Sequence, residues 1–218
     1  MPARIEQITL KEPVFRRKLV NVEDMRTEQR AEGDDSLPPI VGYAALFDVT
    51  AEILWFTESI APGAFSDSLA RKDDVRALFN HDVNLVLGRT KASTLSLEED
   101  EKGLKSRILP PDTQLGRDTV VLIERGDVSQ MSFGFYIEAE EARYEEDKKP
   151  HYTITRARLF DVSVVTFPAY EETEVDVERA VRSRMGAMRE LDRAVGEKML
   201  RDRQIALRRL KVGSSPAR

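Results

Sequence analysis

The chain contains only two histidines. One of them, His81, ends the apolar run Val75 to Phe79 and is followed by Asp82. Further along, Ser132 lies inside a second apolar run, Met131-Ser132-Phe133-Gly134-Phe135. A serine hydroxyl becomes a strong nucleophile when a neighbouring imidazole takes its proton, and the imidazole works best when a third group fixes its tautomer. The third group is usually a carboxylate. Asp161 stands out because it lies in Leu159-Phe160-Asp161-Val162-Ser163-Val164-Val165, where an ionised side chain is costly unless paired. Asp82 is adjacent to the histidine in sequence, but neighbouring side chains of an extended segment point to opposite faces, so it is the weaker candidate. The second histidine, His151, follows Lys148-Lys149-Pro150 and reads as a surface residue where a loop enters a strand.

These residues must be placed by strands. Read as a strand, the segment after Gln130 turns Met131, Phe133, Phe135 and Ile137 to one face and leaves Ser132, Gly134 and Tyr136 on the other. Ser132 thus points away from the apolar side, as a small polar residue on a solvated strand face also would. From Ile40 onward, short runs rich in Val, Ile, Phe, Tyr and Thr alternate with Pro, Gly and Asp. They predict strands at 40–47, 53–59, 75–79, 85–87, 94–98, 104–109, 128–139 and 152–167. Glu99 to Gly103 closes a hairpin, with Gly103 suited to a left-handed position. Two helices interrupt the strands, one over 64–71 after Pro62-Gly63 and one capped by Asp112 or Thr113 and stopped by Gly126. Several strands at short spacing with few helices predict a mainly β fold with flanking helices (α+β), its sheet closed or barrel-like so that strand edges are hidden.

Composition narrows the chemistry. No cysteine occurs, which removes disulfides, thiolate zinc sites and thiol nucleophiles together. No His-Glu-x-x-His run and no calcium-loop spacing is present, so neither metal nor other cofactor is expected. No leader-like apolar segment or membrane-length run is visible, and the chain reads as soluble with no membrane partner. Residues 1–36 read as a charged N-terminal arm ending in a Gly, Asp and Pro linker, 37–175 as one domain, and 176–218 as a basic amphipathic helical tail. Between 181 and 212 ten Lys or Arg face four Asp or Glu, with an apolar stripe through Val181, Met185, Met188 and Leu191. That tail suits docking to an acidic, partly apolar partner, or self-association through the C-terminal helix. It carries no aromatic residue, which argues against a nucleic-acid site.

Several ordered motifs run through the central domain: Ile60-Ala61-Pro62-Gly63-Ala64-Phe65, Leu78-Phe79-Asn80-His81-Asp82, Leu87-Gly88-Arg89-Thr90, Gly116-Arg117-Asp118, Ser132-Phe133-Gly134-Phe135 and Leu159 to Ala169. Over about residues 40 to 175 the chain resembles the prohead proteases of tailed bacteriophages, which are distantly similar to herpesvirus assemblins. The resemblance implies a serine endopeptidase of the closed-sheet assemblin type, with His81 as base and Ser132 as nucleophile. Family members commonly have glutamate where this chain has Asp161, one methylene shorter; the herpesvirus enzymes use a second histidine there, which keeps His151 as an alternative third member. By resemblance the substrates are phage scaffold and major capsid protein, with self-processing, in the host cytoplasm inside an assembling prohead. The competing reading is an inactive capsid-assembly scaffold or capsid-binding protein that keeps the fold. An oxyanion hole is required, and the sequence does not place it: backbone amides near Gly88-Arg89 or Gly116-Arg117 are candidates because glycine lets a backbone turn its N–H inward, and a turn glycine followed by a surface arginine fits these positions equally well.

Overall fold

A computed structural model describes residues 4–20, 25–29, 35–53, 56–146 and 148–166. The chain divides into two units, Met1–Glu172 and Thr173–Arg218, and all described residues belong to the first. The tail with its expected helix lies outside the described residues.

Among the described residues the β-rich text folds as a mainly β structure with two short α-helices. Strands β1 (Arg4–Val20), β4 (Ala51–Ile53), β5 (Phe56–Ile60), β6 (Arg76–Phe79), β7 (Asp82–Arg89), β10 (Gln130–Tyr144) and β11 (His151–Val165) form a seven-stranded sheet. Strands β2 (Arg26–Thr27), β3 (Ile40–Leu46), β8 (Leu95–Glu99) and β9 (Gly103–Ile108) form a second, four-stranded sheet in the order β2-β3-β9-β8. The expected closed or barrel-like sheet is not found. The large sheet runs β1-β10-β11-β5-β4 with β6 and β7 branching from β11, and among the described residues no ladder returns from β4 or β7 to β1. The reason is that β11 changes partner midway, which opens a fork instead of a ring. Within the N-terminal segment that the sequence reads as a charged arm, β1 pairs antiparallel with β10, Leu19 standing opposite Ser132.

β11 organises the large sheet. Its start pairs in parallel with β5, His151 opposite Thr57 through Ile154 opposite Ile60, and its end pairs in parallel with β6, Asp161 opposite Arg76 through Val164 opposite Phe79. The intervening stretch would leave buried backbone groups without partners, which is costly. The connection between β5 and β6, including helix α1 (Ser66–Ala70), supplies them: Ala61 N–H donates to Ile154 O, Ala157 N–H to Ala64 O, and Leu159 N–H to the Ser68 hydroxyl at 3.0 Å. Ser68 is itself fixed by donating to Asp73 Oδ2 at 2.7 Å.

The core lies on the side to which β10 turns its odd-numbered residues. Met131, Phe133, Phe135 and Ile137 are buried together with Phe65, Ile60, Leu159 and Val162. Phe133 stacks on Phe135 at 4.8 Å between centroids and meets the edge of Phe65 at 5.7 Å. Helix α2 (Gln114–Glu124) starts where the sequence predicts, Thr113 accepting from the Gly116 N–H, and stops at Gly126, whose φ of +81° needs no Cβ. Its Thr119, Val120 and Ile123 turn inward. The hairpin glycine is present for a different reason from the one predicted. Gly103 is not in the left-handed region; a Cβ there would lie 2.0 Å from the Ala45 carbonyl oxygen, so the constraint is close backbone approach.

Because Ser68 is buried and its hydroxyl satisfies a buried amide, Ser68→Ala is expected to lower unfolding free energy by about 1–3 kcal/mol. Denaturant unfolding checks this, and a midpoint equal to wild type would contradict the proposed role of the hydroxyl.

Candidate active site

Asn80 and His81 form the two-residue tip of the β6–β7 hairpin, whose last pair is Phe79 opposite Asp82. Both tip residues have positive φ, 54° and 57°. Two successive left-handed residues are the requirement of a type I′ turn, which matches strand twist and usually takes Asn-Gly. Here the second position is a histidine, so its side chain is held at the very end of the hairpin at the expense of backbone strain. The tip is tied down from two sides: Asn80 N–H donates to Val164 O at 2.8 Å, and Asn80 Oδ1 accepts from the Thr166 N–H at 2.9 Å. At the base of the hairpin Arg89 forks onto Asp74, Nε to Oδ1 at 2.7 Å and Nη2 to Oδ2 at 2.6 Å. The hydrogen-bonded guanidinium of Arg89, with Arg76 and Lys91 nearby, holds the Asp74 carboxyl down to about 2.

The same region of the sheet brings in the serine and the carboxylate. Ser132 on β10 is opposite Ser163 on β11, and Gly134 is opposite Asp161. Between Gly134 and Phe135 the register shifts, because Phe135 pairs with Leu159 and Phe160 is an extra residue on β11. This bulge reverses the alternation. Before it Ala157 and Leu159 face the core; after it Val162 and Val164 do, so Asp161 and Ser163 fall on the same face as Ser132.

The three residues singled out in sequence come together there. His81 Nε2 lies 2.7 Å from Ser132 Oγ, and His81 Nδ1 lies 2.5 Å from Asp161 Oδ1. The tautomer that satisfies both contacts has the proton on Nδ1, donating to the carboxylate, while Nε2 accepts from the serine hydroxyl. Ser132 and Asp161 are completely buried, and the His81 side chain retains 9% of its exposure. Alternation was therefore read correctly, but the Ser132 face is not a solvated one. Among the described residues Asp161 Oδ2 has no hydrogen-bond partner, which leaves the charge of the carboxylate concentrated on the histidine side.

His151 is not part of this group. Its Nδ1 contacts Thr57 Oγ1 at 2.8 Å and its Nε2 contacts Ser59 Oγ at 3.0 Å, at the opposite end of β11 from Asp161. Three of the candidate oxyanion amides are also otherwise engaged. Arg89 N–H donates to Thr94 Oγ1, Gly116 N–H to Thr113 Oγ1, and Arg117 N–H to Thr113 O. Sequence reasoning missed Ser163, whose Oγ lies 2.7 Å from Asp161 Oδ1, and Asn80, which anchors the hairpin tip. The spacing of Asp161 and Ser163 by two, in a strand, was the available signal for the first. Among the described residues no group of three or more His, Asp or Glu side chains is placed to hold a metal, and no helix is long and apolar enough to cross a membrane.

A hydroxyl, an imidazole and a carboxylate in one hydrogen-bonded line are the parts of a serine hydrolase. Residues 23–189 match the family of caudovirus prohead serine proteases. The chain belongs to that family. As a prohead serine protease it is a peptide-bond hydrolase of phage capsid maturation. Among solved structures it is similar to the bacteriophage T4 capsid assembly protease, gp21, at 11% identity and a TM-score of 0.43, with 72% of this chain and all of that one covered. No curated protein matches it in sequence. The family match begins at residue 23, after β1.

Two outcomes are expected. His81→Ala and His81→Gly should both remove activity, but the glycine variant should be more stable than the alanine variant by about 1 kcal/mol, because only the alanine keeps a Cβ in the left-handed region. Thermal melts of the pair measure this. For Asp74, whose carboxyl is lowered from 3.8 to about 2 by the fork from Arg89, the stabilisation is present above 3.8 and is lost as pH falls through about 2. The melting temperature of Asp74→Asn should accordingly lie below wild type at neutral pH and meet it near pH 2.

Proposed function

We propose that Ser132 is the nucleophile, His81 the general base and Asp161 the residue that orients and stabilises the imidazolium. The observation that supports this is the continuous line Ser132 Oγ, His81 Nε2, His81 Nδ1, Asp161 Oδ1, with contacts of 2.7 and 2.5 Å. His81 takes the hydroxyl proton as Ser132 attacks the scissile carbonyl, and the tetrahedral intermediate forms. The proton then passes from Nε2 to the leaving amine, an acyl-enzyme remains, and water activated by the same nitrogen releases the product acid. Asp161 keeps accepting from Nδ1 throughout, and its shorter side chain reaches that nitrogen because the Phe160 bulge brings it to the Ser132 face. The substrates are scaffold and major capsid polypeptides and the chain itself, cleaved within the assembling prohead in the host cytoplasm. The basic, apolar tail after residue 176 recruits the enzyme to an acidic scaffold segment.

Ser132→Ala and His81→Ala are each expected to abolish cleavage of co-expressed scaffold and capsid protein, and the double variant should be little worse than either alone. Asp161→Asn should lower turnover by roughly 10⁴-fold, as in a serine protease with the analogous change, whereas His151→Gln should leave it unchanged. Gel analysis of cleavage, together with mass spectrometry of Ser132 labelled by a fluorophosphonate, reads both. Labelling at another serine, or full turnover in Ser132→Ala, would overturn the assignment.

A further inference from the structure

Ser163 is completely buried and belongs to β11 two residues beyond Asp161, on the same face. Its Oγ lies 2.7 Å from Asp161 Oδ1 and 3.2 Å from His81 Nδ1, while Nδ1 and Oδ1 are themselves 2.5 Å apart. Three polar atoms therefore enclose one triangle, and the proton inventory decides how it is wired. Nε2 accepts from Ser132, so Nδ1 carries a hydrogen and donates; the carboxylate can only accept. The single hydroxyl proton of Ser163 must then go to Asp161 Oδ1, with a lone pair of Oγ turned to the Nδ1 hydrogen. Both hydrogen bonds to the carboxylate converge on Oδ1, and among the described residues Oδ2 has none.

A carboxylate held at one oxygen only can rotate about its Cβ–Cγ bond unless that oxygen is fixed from more than one direction. His81 supplies one direction, and it is itself the group to be positioned. Ser163 supplies the other from a fixed point in the sheet, paired across to Ser132 on one side and Leu78 on the other. We propose that Ser163 is a positioning residue of the protease: it holds Asp161 Oδ1 in line with Nδ1 and thereby keeps the imidazole in the tautomer and orientation that leave Nε2 free to take the Ser132 proton. It touches neither substrate nor the reacting serine hydroxyl. As imidazolium forms, its alignment with the carboxylate that Ser163 holds counts for more, so the loss of Ser163 acts on turnover instead of on substrate binding.

The inference rests on the triad reading above, and the experiment separates the two. Steady-state kinetics of the full-length enzyme on a quenched fluorescent polypeptide should show kcat of Ser163→Ala reduced about tenfold to hundredfold, the scale of a hydrogen bond to a charged group, with KM within about twofold. Ser163→Thr, which restores the hydroxyl on a residue suited to strands, should recover most of the rate. In an Asp161→Asn background, Ser163→Ala should cause little further loss, because a residue that acts through Asp161 has nothing left to position. Ser163→Cys, nearly isosteric and a weak donor, serves if the alanine variant does not fold, and should likewise lose kcat with its melting temperature kept. An unchanged kcat in Ser163→Ala or Ser163→Cys, or the same fold-loss with and without Asp161, would overturn the proposal while leaving the triad intact. Full activity in Ser132→Ala would instead remove the triad reading on which it rests.

Discussion

The structure depends on keeping the backbone of β11 hydrogen-bonded along its whole length. A buried strand cannot leave amides unpaired. β11 meets this demand with three partners in succession, β5 at its start, the Ala61 to Ser68 connection in its middle and β6 at its end. That succession explains why a turn and a short helix interrupt two parallel strands, why the β6–β7 hairpin lies against the end of β11, and why the sheet forks. It also explains why the chemistry gathers there. The histidine arrives on the hairpin that β11 anchors, the carboxylate is part of β11, and the serine stands on β10 directly across from it.

Two kinds of strain are concentrated at this point. The His81 backbone occupies the left-handed region without being glycine, and Asp161 is a completely buried carboxylate satisfied at one oxygen among the described residues. Each is unfavourable alone, and the surroundings compensate both. Asn80 fastens the strained tip to Val164 and Thr166, while His81 and Ser163 supply the hydrogen bonds that an isolated carboxylate would lack. Placing the two unfavourable groups in contact lets each relieve the other, the carboxylate gaining a donor and the imidazole a fixed tautomer.

Much of this was legible in the sequence, and the failures share a cause. Most strand positions after Ile40, the Thr113 cap, the Gly126 stop and the inward face of β10 follow from local periodicity and turn chemistry, whereas β1, too charged to read as a strand, was missed and 53–59 proved to be two strands, β4 and β5. The isolation of Asp161 in an apolar run pointed to a buried partner because desolvation energy is a local property of a segment. Sheet closure was not legible. Whether a sheet forms a ring or a fork depends on a change of partner within β11, which involves residues some ninety positions apart, as in the Leu159 to Ser68 bond. The reason for Gly103 was missed similarly: nothing within its hairpin reveals the carbonyl of Ala45 beside it. His81 was recognised as a strand-end residue, yet its left-handed backbone was not foreseen, because Asn-His lacks the glycine by which such turns are recognised.

The extra residue at Phe160 has an evolutionary consequence. The bulge works through the number of residues between Leu159 and Asp161, and the identity of the one between them is secondary. Substitution at this position therefore acts on packing, such as the edge contact of Phe160 with Tyr136, and leaves the parity of the strand intact. Loss of that codon would remove the extra residue and with it the bulge, yet Leu159, Asp161, Val162 and Ser163 would then alternate regularly and keep the carboxylate on the face of Ser132. Descendants of this gene are thus free at Phe160 in both spelling and length, and what their lineages should conserve is the two-residue spacing of Asp161 and Ser163 that keeps both on one face.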